Sequence, residues 1–325
     1  MRYEPLGASG IEVSVVGLGC NTFGMSIDAD RAQAVVDAAL ESGINFFDTA
    51  ASYGAGASEE MLGKALRGRR DQAVVATKFA DTLRGLPQDA PPPGQRAEVF
   101  KSVDRSLERL ALDYVDLLYY HMPDKVTPIE ETLGAMQEVV EAGKARVIGC
   151  CNFGSSQLRQ ADDAARASGK PGFTAVQNQY SLLERDAERN VLPLARELDI
   201  AFIPYMPLVN GLLTGKYRRG QPPPEGSRLE YFTSVGVGRE LLGDDRFEHV
   251  ERLAEFAERQ GHTLHELAIA APASEPGITS VLVGATSPEQ VRANAAAAEW
   301  QLEPETLDAV PRVEGKGIEF GFPRD

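Results

Sequence analysis

The chain is poor in cysteine, histidine and tryptophan, and it has no long apolar run. Its three cysteines are Cys20, Cys150 and Cys151, an odd set without CxxC spacing. That pattern excludes a disulfide framework and a cysteine-held zinc site, so a reducing setting is the default expectation. The opening residues, MRYEPLGASG, carry no basic stretch leading into an apolar one; no export signal is read there, and a cytoplasmic location is expected. No segment approaches the roughly 20 apolar residues that a membrane-crossing helix needs. Basic residues are also in deficit. Lys and Arg number 33 against 48 Asp and Glu, a formal charge of −15 that repels nucleic acid and anionic membrane surfaces. The expected partner is a small molecule, and the oligomeric state is not legible.

A length of 325 residues suits one large barrel or two ordinary domains, and a 43% hydrophobic share supplies a full core. Short runs rich in Val, Ile, Leu and Phe fall at 15–18, 45–47, 73–77, 115–120, 147–150, 174–177, 200–204 and 280–283. Continuous apolar character fits parallel strands buried on both faces. Helical periodicity follows at 29–40, 58–66, 96–110, 128–142, 155–167, 187–198, 245–260 and 288–298. The second of these opens on Ser58-Glu59-Glu60, a favourable helix start. Eight strands alternating with helices predict an α/β fold, a (β/α)8 barrel formed as one domain over 1–325. Residues 3–6 and 11–14 flank Gly7-Ala8-Ser9-Gly10 and predict a short N-terminal β-hairpin over the barrel bottom. The Pro-rich stretch 80–95 and the Gly/Pro-rich stretch 208–243 predict long loops at the C-terminal face, where lids form. The helical segment from Leu264 is expected to be cut at Pro272.

Barrel chemistry gathers at the carboxyl ends of the strands. There the sequence places Asp48, Tyr53 a few residues on, Lys78 after the third run and His121 after the fourth. Singly, each has a plain reading as a turn cap, a solvated cation or a core imidazole. Together, on neighbouring strands, they make one chemical device. A free phenol has a pKa of about 10, too high for efficient proton transfer near neutrality, and an adjacent ammonium is expected to lower it. Asp48 can hold Lys78 in place, and His121 can bond a substrate oxygen or the phenol. No serine nucleophile with a base and no metal-ligand spacing accompanies them. His262 and His265 lack a third ligand and read as ordinary helix residues. Proton transfer to a carbonyl oxygen needs a hydride source opposite, which points to a nicotinamide.

The segments FFDTAASYG-x-G-x-SEE-x-LGKAL, ATK, LLYYH, GKARVIG-x-x-NF, VQNQYSLLER, GLLTGKY and VGATSPEQVRAN together resemble the aldo-keto reductase superfamily, in its order and over almost the whole chain. The resemblance implies NAD(P)H-dependent reduction of an aldehyde or ketone, or the reverse, with Asp48, Tyr53, Lys78 and His121 as catalytic tetrad. It implies that Asn152 and Gln177 hold the nicotinamide carboxamide and that Tyr205 stacks on the ring. Gly19, Leu208, Gly211, Leu213, Gly215 and Lys216 fall where the family embraces its cofactor; Gly284, Thr286, Gln290 and Asn294 fall at its adenosine end. Phe23 is expected to shape the substrate pocket with Tyr53, His121, the loops and the tail 313–325. The chain departs from the family at Cys151, where Ser is frequent, at Met206, at Gln290, where a basic residue is frequent, and at Ala293, where Glu is frequent. Lys216 and Arg228 can supply the charge for a 2′-phosphate, so NADPH is the expected cofactor, with NADH as the alternative.

Other readings fare worse. Gly17-Leu18-Gly19 and Gly24 fail the GxGxxG spacing of a Rossmann dehydrogenase, and Tyr53 and Lys78 are not the helical YxxxK of short-chain dehydrogenases. His121 stands where double-bond reductases of this superfamily have Glu. An NADPH-binding regulatory protein resembling potassium-channel β-subunits, with little turnover, stays open.

Overall fold

The computed structural model describes residues 1–81, 90–124, 126–234 and 243–313. A hairpin comes first: β1 (Tyr3–Pro5) pairs antiparallel with β2 (Glu12–Ser14). The remaining strands are β3 (Val16–Gly19), β4 (Phe46–Asp48), β5 (Val74–Phe79), β6 (Val115–Tyr120), β7 (Ala145–Cys151), β8 (Ala175–Gln179), β9 (Ala201–Tyr205) and β10 (Val281–Gly284). They close into a parallel barrel in the order β10-β3-β4-β5-β6-β7-β8-β9. The fold is the (β/α)8 barrel that the alternation predicts.

The outer ring contains α1 (Ala29–Glu41), α2 (Ala57–Ala65), α3 (Arg96–Leu110), α4 (Ile129–Glu141), α5 (Ser155–Ser168), α6 (Val191–Glu197), α7 (Arg228–Ser234), α8 (Asp244–Arg259), α9 (Leu264–Ser274), α10 (Pro288–Ala297) and α11 (Pro304–Asp308). Local chemistry sets many of their ends. Asp28 accepts from Arg31 N at 3.0 Å to start α1, and Thr263 with Glu266 forms a capping box on α9.

Three expectations need correction. Helix α9 runs through Pro272 and ends two residues later at Ser274; the proline lacks the N–H that would bond the carbonyl of Ala268, and the helix stops within the same turn. The segment 187–198 is a 3-10 turn, Asp186–Arg189, followed by α6, broken at Asn190, whose side chain caps Val191 N at 2.6 Å. The stretch from Leu208 is not plain loop: it holds a kinked 3-10 run, Val209–Thr214, and then α7. Both α7 and α11, at 7 and 5 residues, are too short to show periodicity. Residues 82–89, 235–242 and 314–325, expected to help shape the pocket, lie outside the described residues.

Every residue of β5 and β6 is buried, which explains their largely apolar character; the polar exceptions, Thr77, Lys78 and Asp116, all have hydrogen-bond partners. Leu6, Ile11 and Val13 from the hairpin pack with Phe46 and Leu117 inside the barrel and close its N-terminal end. Gly17 is needed there: a Cβ would stand 2.8 Å from the side chains of Leu282 and Phe46. With the bottom filled by these apolar side chains, Asp48, Lys78 and His121 lie towards the C-terminal ends of their strands.

Candidate active site

Three consecutive barrel strands converge on one cluster. Asp48 ends β4, Lys78 lies in β5, and His121 follows β6, while Tyr53 begins the 3-10 turn Tyr53–Gly56 after β4. Lys78 Nζ donates to Asp48 Oδ2 in a short contact, to Thr49 O at 2.9 Å and to Tyr53 Oη at 3.4 Å. The Lys78 side chain is 0% exposed and that of Asp48 3%, so the pair is dry. The Tyr53 and His121 rings meet edge-on, with centroids 6.2 Å apart. All four residues expected to act together are brought together.

The electrostatics correct one expectation. Burial pushes the Tyr53 phenol up, the Lys78 ammonium pulls it down, and Asp48 pushes it up again; the net result is about 12. Lys78 therefore limits the rise rather than producing a phenol more acidic than usual. Burial lowers the Lys78 pKa, but the Asp48 carboxylate outweighs it and the ammonium stays charged. Burial and the Lys78 charge hold His121 down, to about 3, so its imidazole is neutral. Its Nδ1 is buried with no hydrogen-bond partner among the described residues.

A buttress supports the cluster that the sequence did not reveal. Ser58 does not cap α2; its hydroxyl donates to Cys20 O at 2.8 Å and shares a 2.8 Å bond with Thr49 Oγ1. Glu59, 0% exposed, accepts from Thr77 Oγ1 at 2.5 Å and from Arg109 Nε at 2.6 Å. Thr49 and Thr77 adjoin Asp48 and Lys78 in the chain, so these bonds pin both ends of the Asp48–Lys78 pair. The acidic start of α2 reads as a helix signal in sequence. Only the fold shows that Arg109, 50 residues away, comes to meet it.

The residues expected to hold a dinucleotide follow the other arc of the ring. Asn152 comes just after β7, Gln177 is on β8, Tyr205 ends β9, Gly284 ends β10 and Gly19 ends β3. Asn152 takes a positive φ of 60°. Its Nδ2 donates to His121 O at 3.1 Å, and its Oδ1 accepts from Tyr205 Oη at 2.7 Å. Gln177 Nε2 donates to Asp48 Oδ1 at 2.9 Å, which ties this arc to the Asp48–Lys78 cluster. Beyond Leu208 the chain turns at Gly211 (φ 92°) and Gly215 (φ 79°), with Leu213 buried beneath and Lys216 exposed. Arg228 is exposed at the start of α7. Gln290 Oε1 accepts from Thr286 N at 2.8 Å and from Thr286 Oγ1 at 3.1 Å, so its side chain fastens the turn before α10. Asn294 is buried and meets His265 Nε2 at 2.9 Å. His262, outside α9, stacks on Trp300 with centroids 3.8 Å apart. Phe23 is 0% exposed within the core and offers no surface to a substrate in this conformation.

Comparison with known proteins agrees with the fold. The Aldo/keto reductase family profile matches residues 15–314. A probable voltage-gated potassium channel subunit beta from Arabidopsis thaliana is 36% identical over 320 residues, covering 96% of each chain. Its namesake from Oryza sativa subsp. japonica is equally similar. Aldo-keto reductase YhdN of Bacillus subtilis is 35% identical over 325 residues, covering 94% of this chain and 91% of the other. The chain belongs to the aldo/keto reductase family, and that membership supports oxidoreduction as its class of chemistry.

Proposed function

We propose that the protein is an NADPH-dependent carbonyl reductase, interconverting an aldehyde or ketone and its alcohol in the cytoplasm, with Tyr53 as the proton donor. The observation that carries this reading is the dry Asp48–Lys78 pair set 3.4 Å from the Tyr53 hydroxyl. A phenol with a pKa of about 12 stays protonated at neutral pH, as an acid must before it donates. As the proton leaves, the phenolate forms beside a fixed ammonium, and Asp48 keeps that ammonium in place. His121, neutral and with Nδ1 lacking a partner among the described residues, has Nε2 left to donate to the substrate oxygen.

The residues present fit a dinucleotide. Gly211 and Gly215 give a backbone able to wrap closely round a pyrophosphate, Gly19 and Gly284 pair at the barrel rim without side chains, and Lys216 has no ion-pair partner among the described residues. Asn152, Gln177 and Tyr205 would hold the nicotinamide, and Leu208, Leu213, Thr286, Gln290 and Asn294 the remainder. Lys216 and Arg228 favour a 2′-phosphate. When bound, the nicotinamide supplies the hydride for the carbonyl carbon. Three free, buried thiols support the cytoplasmic assignment.

The test is a fluorescence titration with NADPH and NADH, then absorbance-followed turnover across aldehydes, ketones and sugars. Tyr53→Phe should abolish turnover and leave NADPH binding within about twofold; retained turnover sinks the assignment. The names of the plant relatives favour a second reading, a cofactor-binding regulatory partner of a channel. Negligible turnover over the whole panel, with tight NADPH binding, would select it.

A further inference from the structure

The ion pair between Glu59 and Arg109 is set deeper than a helix start requires. Glu59 lies in the first turn of α2, where a carboxylate can meet the helix dipole while staying in water. Here it is 0% exposed, and both its oxygens are taken: Oε1 by the Thr77 hydroxyl at 2.5 Å, Oε2 by Arg109 Nε and Nη2, each at 2.6 Å. Packed apolar side chains of similar volume often stabilise such a place equally well. What a buried ion pair adds is a fixed direction and distance.

Its partners carry the reacting groups. Thr77 and Lys78 are consecutive on β5, so their side chains point to opposite faces, Lys78 into the barrel and Thr77 out towards α2. Glu59 therefore grips the strand at the residue next to the ammonium. Arg109 reaches the Tyr53 side. Its stem lies against Gly56, where a Cβ would stand 2.6 Å from Arg109 Cδ and 2.9 Å from Nε. Gly56 closes the turn that Tyr53 opens, and that turn runs through three successive positive φ values: 57° at Gly54, 55° at Ala55 and 99° at Gly56. For Ala55 this backbone is strained, and such a conformation lasts only where its surroundings hold it. The helices leave the pair no slack, since a Cβ on Gly63 of α2 would stand 2.0 Å from Leu110 O, next to Arg109 on α3.

We propose that Glu59 and Arg109 are positioning residues for the Tyr53 proton transfer: one buried ion pair grips β5 beside Lys78, backs the turn that carries Tyr53, and so sets the 3.4 Å spacing between Lys78 Nζ and Tyr53 Oη. The proposal rests on Tyr53 being the proton donor. Both residues act through others, Glu59 through Thr77 and Arg109 through Gly56. Any widening between Lys78 and Tyr53 weakens the ammonium's hold on the developing phenolate, and a dry, low-dielectric site magnifies the loss.

The test uses Glu59→Gln, which keeps the shape and removes the charge, and Thr77→Val, which keeps the shape and removes the hydroxyl. A third variant joins Glu59→Gln to Arg109→Met, which keeps a stem against Gly56 and strands no charge. Rates are read with saturating NADPH and para-nitrobenzaldehyde in H2O and D2O, NADPH binding by fluorescence, and folding by circular dichroism. Glu59→Gln should lower kcat about tenfold and Thr77→Val about threefold, with KM for the aldehyde and Kd for NADPH within about twofold. The solvent isotope effect on kcat should rise in both, since the proton step becomes slower. The neutral double variant should fold and bind NADPH as the wild type does, and still be at least as slow as Glu59→Gln. Should Glu59→Gln fail to fold, Thr77→Val and the neutral double variant carry the test. Wild-type kcat in either of those two, an unchanged isotope effect, or a fall in kcat matched by an equal loss of NADPH affinity overturns the positioning role and leaves Tyr53 as the donor. A wild-type chain that reduces no carbonyl, or a Tyr53→Phe chain that keeps its turnover, overturns the donor assignment, and the positioning role falls with it.

Discussion

Replacing Lys78 by Met tests the electrostatic core of the site. The lysine side chain is fully buried, and its loss leaves the buried Asp48 carboxylate with the Gln177 amide as its side-chain donor among the described residues. Breaking a buried pair by deleting one partner costs about 3 to 5 kcal/mol; the surviving amide bond offsets part of that, so a loss of roughly 3 kcal/mol is expected at pH 8. The penalty should shrink on acidification. Burial already raises the Asp48 pKa, and without Lys78 the rise is larger. A group whose folded pKa lies above its unfolded value contributes stability at low pH that is lost as pH rises through the folded pKa. The difference between Lys78→Met and wild type should therefore be smaller at pH 5 than at pH 8. Adding Asp48→Asn removes the stranded charge and should recover about 2 kcal/mol at pH 8. Urea unfolding followed by circular dichroism reads all three quantities. A Lys78→Met chain as stable as wild type at pH 8, or a double variant no more stable than the single one, would refute the account of the pair.

Further outcomes follow from other contacts. Gly63→Ala should destabilise by roughly 3 kcal/mol in the same assay, since a Cβ on α2 would sit 2.0 Å from Leu110 O of α3 and backbone must move. Lys216→Ala should weaken NADPH binding about tenfold in the fluorescence titration and NADH binding much less; equal losses would remove Lys216 from phosphate recognition. His121 is held neutral in the fold to about pH 3 against 6.5 in the open chain, so stability should fall as pH drops through that window. His121→Asn should lose roughly 2 kcal/mol less than wild type between pH 6.5 and 4.5.

The barrel was legible because parallel strands buried on both faces are mostly apolar and their helices are periodic, which left β3 to β10 and most of the outer ring readable. Short or kinked elements were not: α7, α11 and the run Val209–Thr214 carry too few turns to write a period. The helical period also ran across Asn190, whose side chain restarts the helix as α6.

The candidate site divides the same way. Residue type and position at strand ends were enough to single out Asp48, Tyr53, Lys78 and His121, since barrel topology makes consecutive strand ends neighbours. Sequence alone set which chemical groups face one another. It did not set their protonation. A neighbouring ammonium suggests an acidic phenol, but the desolvation that raises Tyr53 to about 12 depends on how completely the surrounding strands exclude water. Nor did it show that Glu59 meets Arg109, or that Gln177 reaches Asp48 across 129 residues. Those pairings exist only after the ring closes, because closure brings β8 opposite β4 and presses α3 against α2. Local sequence wrote the elements and their polar tips; burial and long-range pairing, properties of the closed barrel, decided what those tips can do.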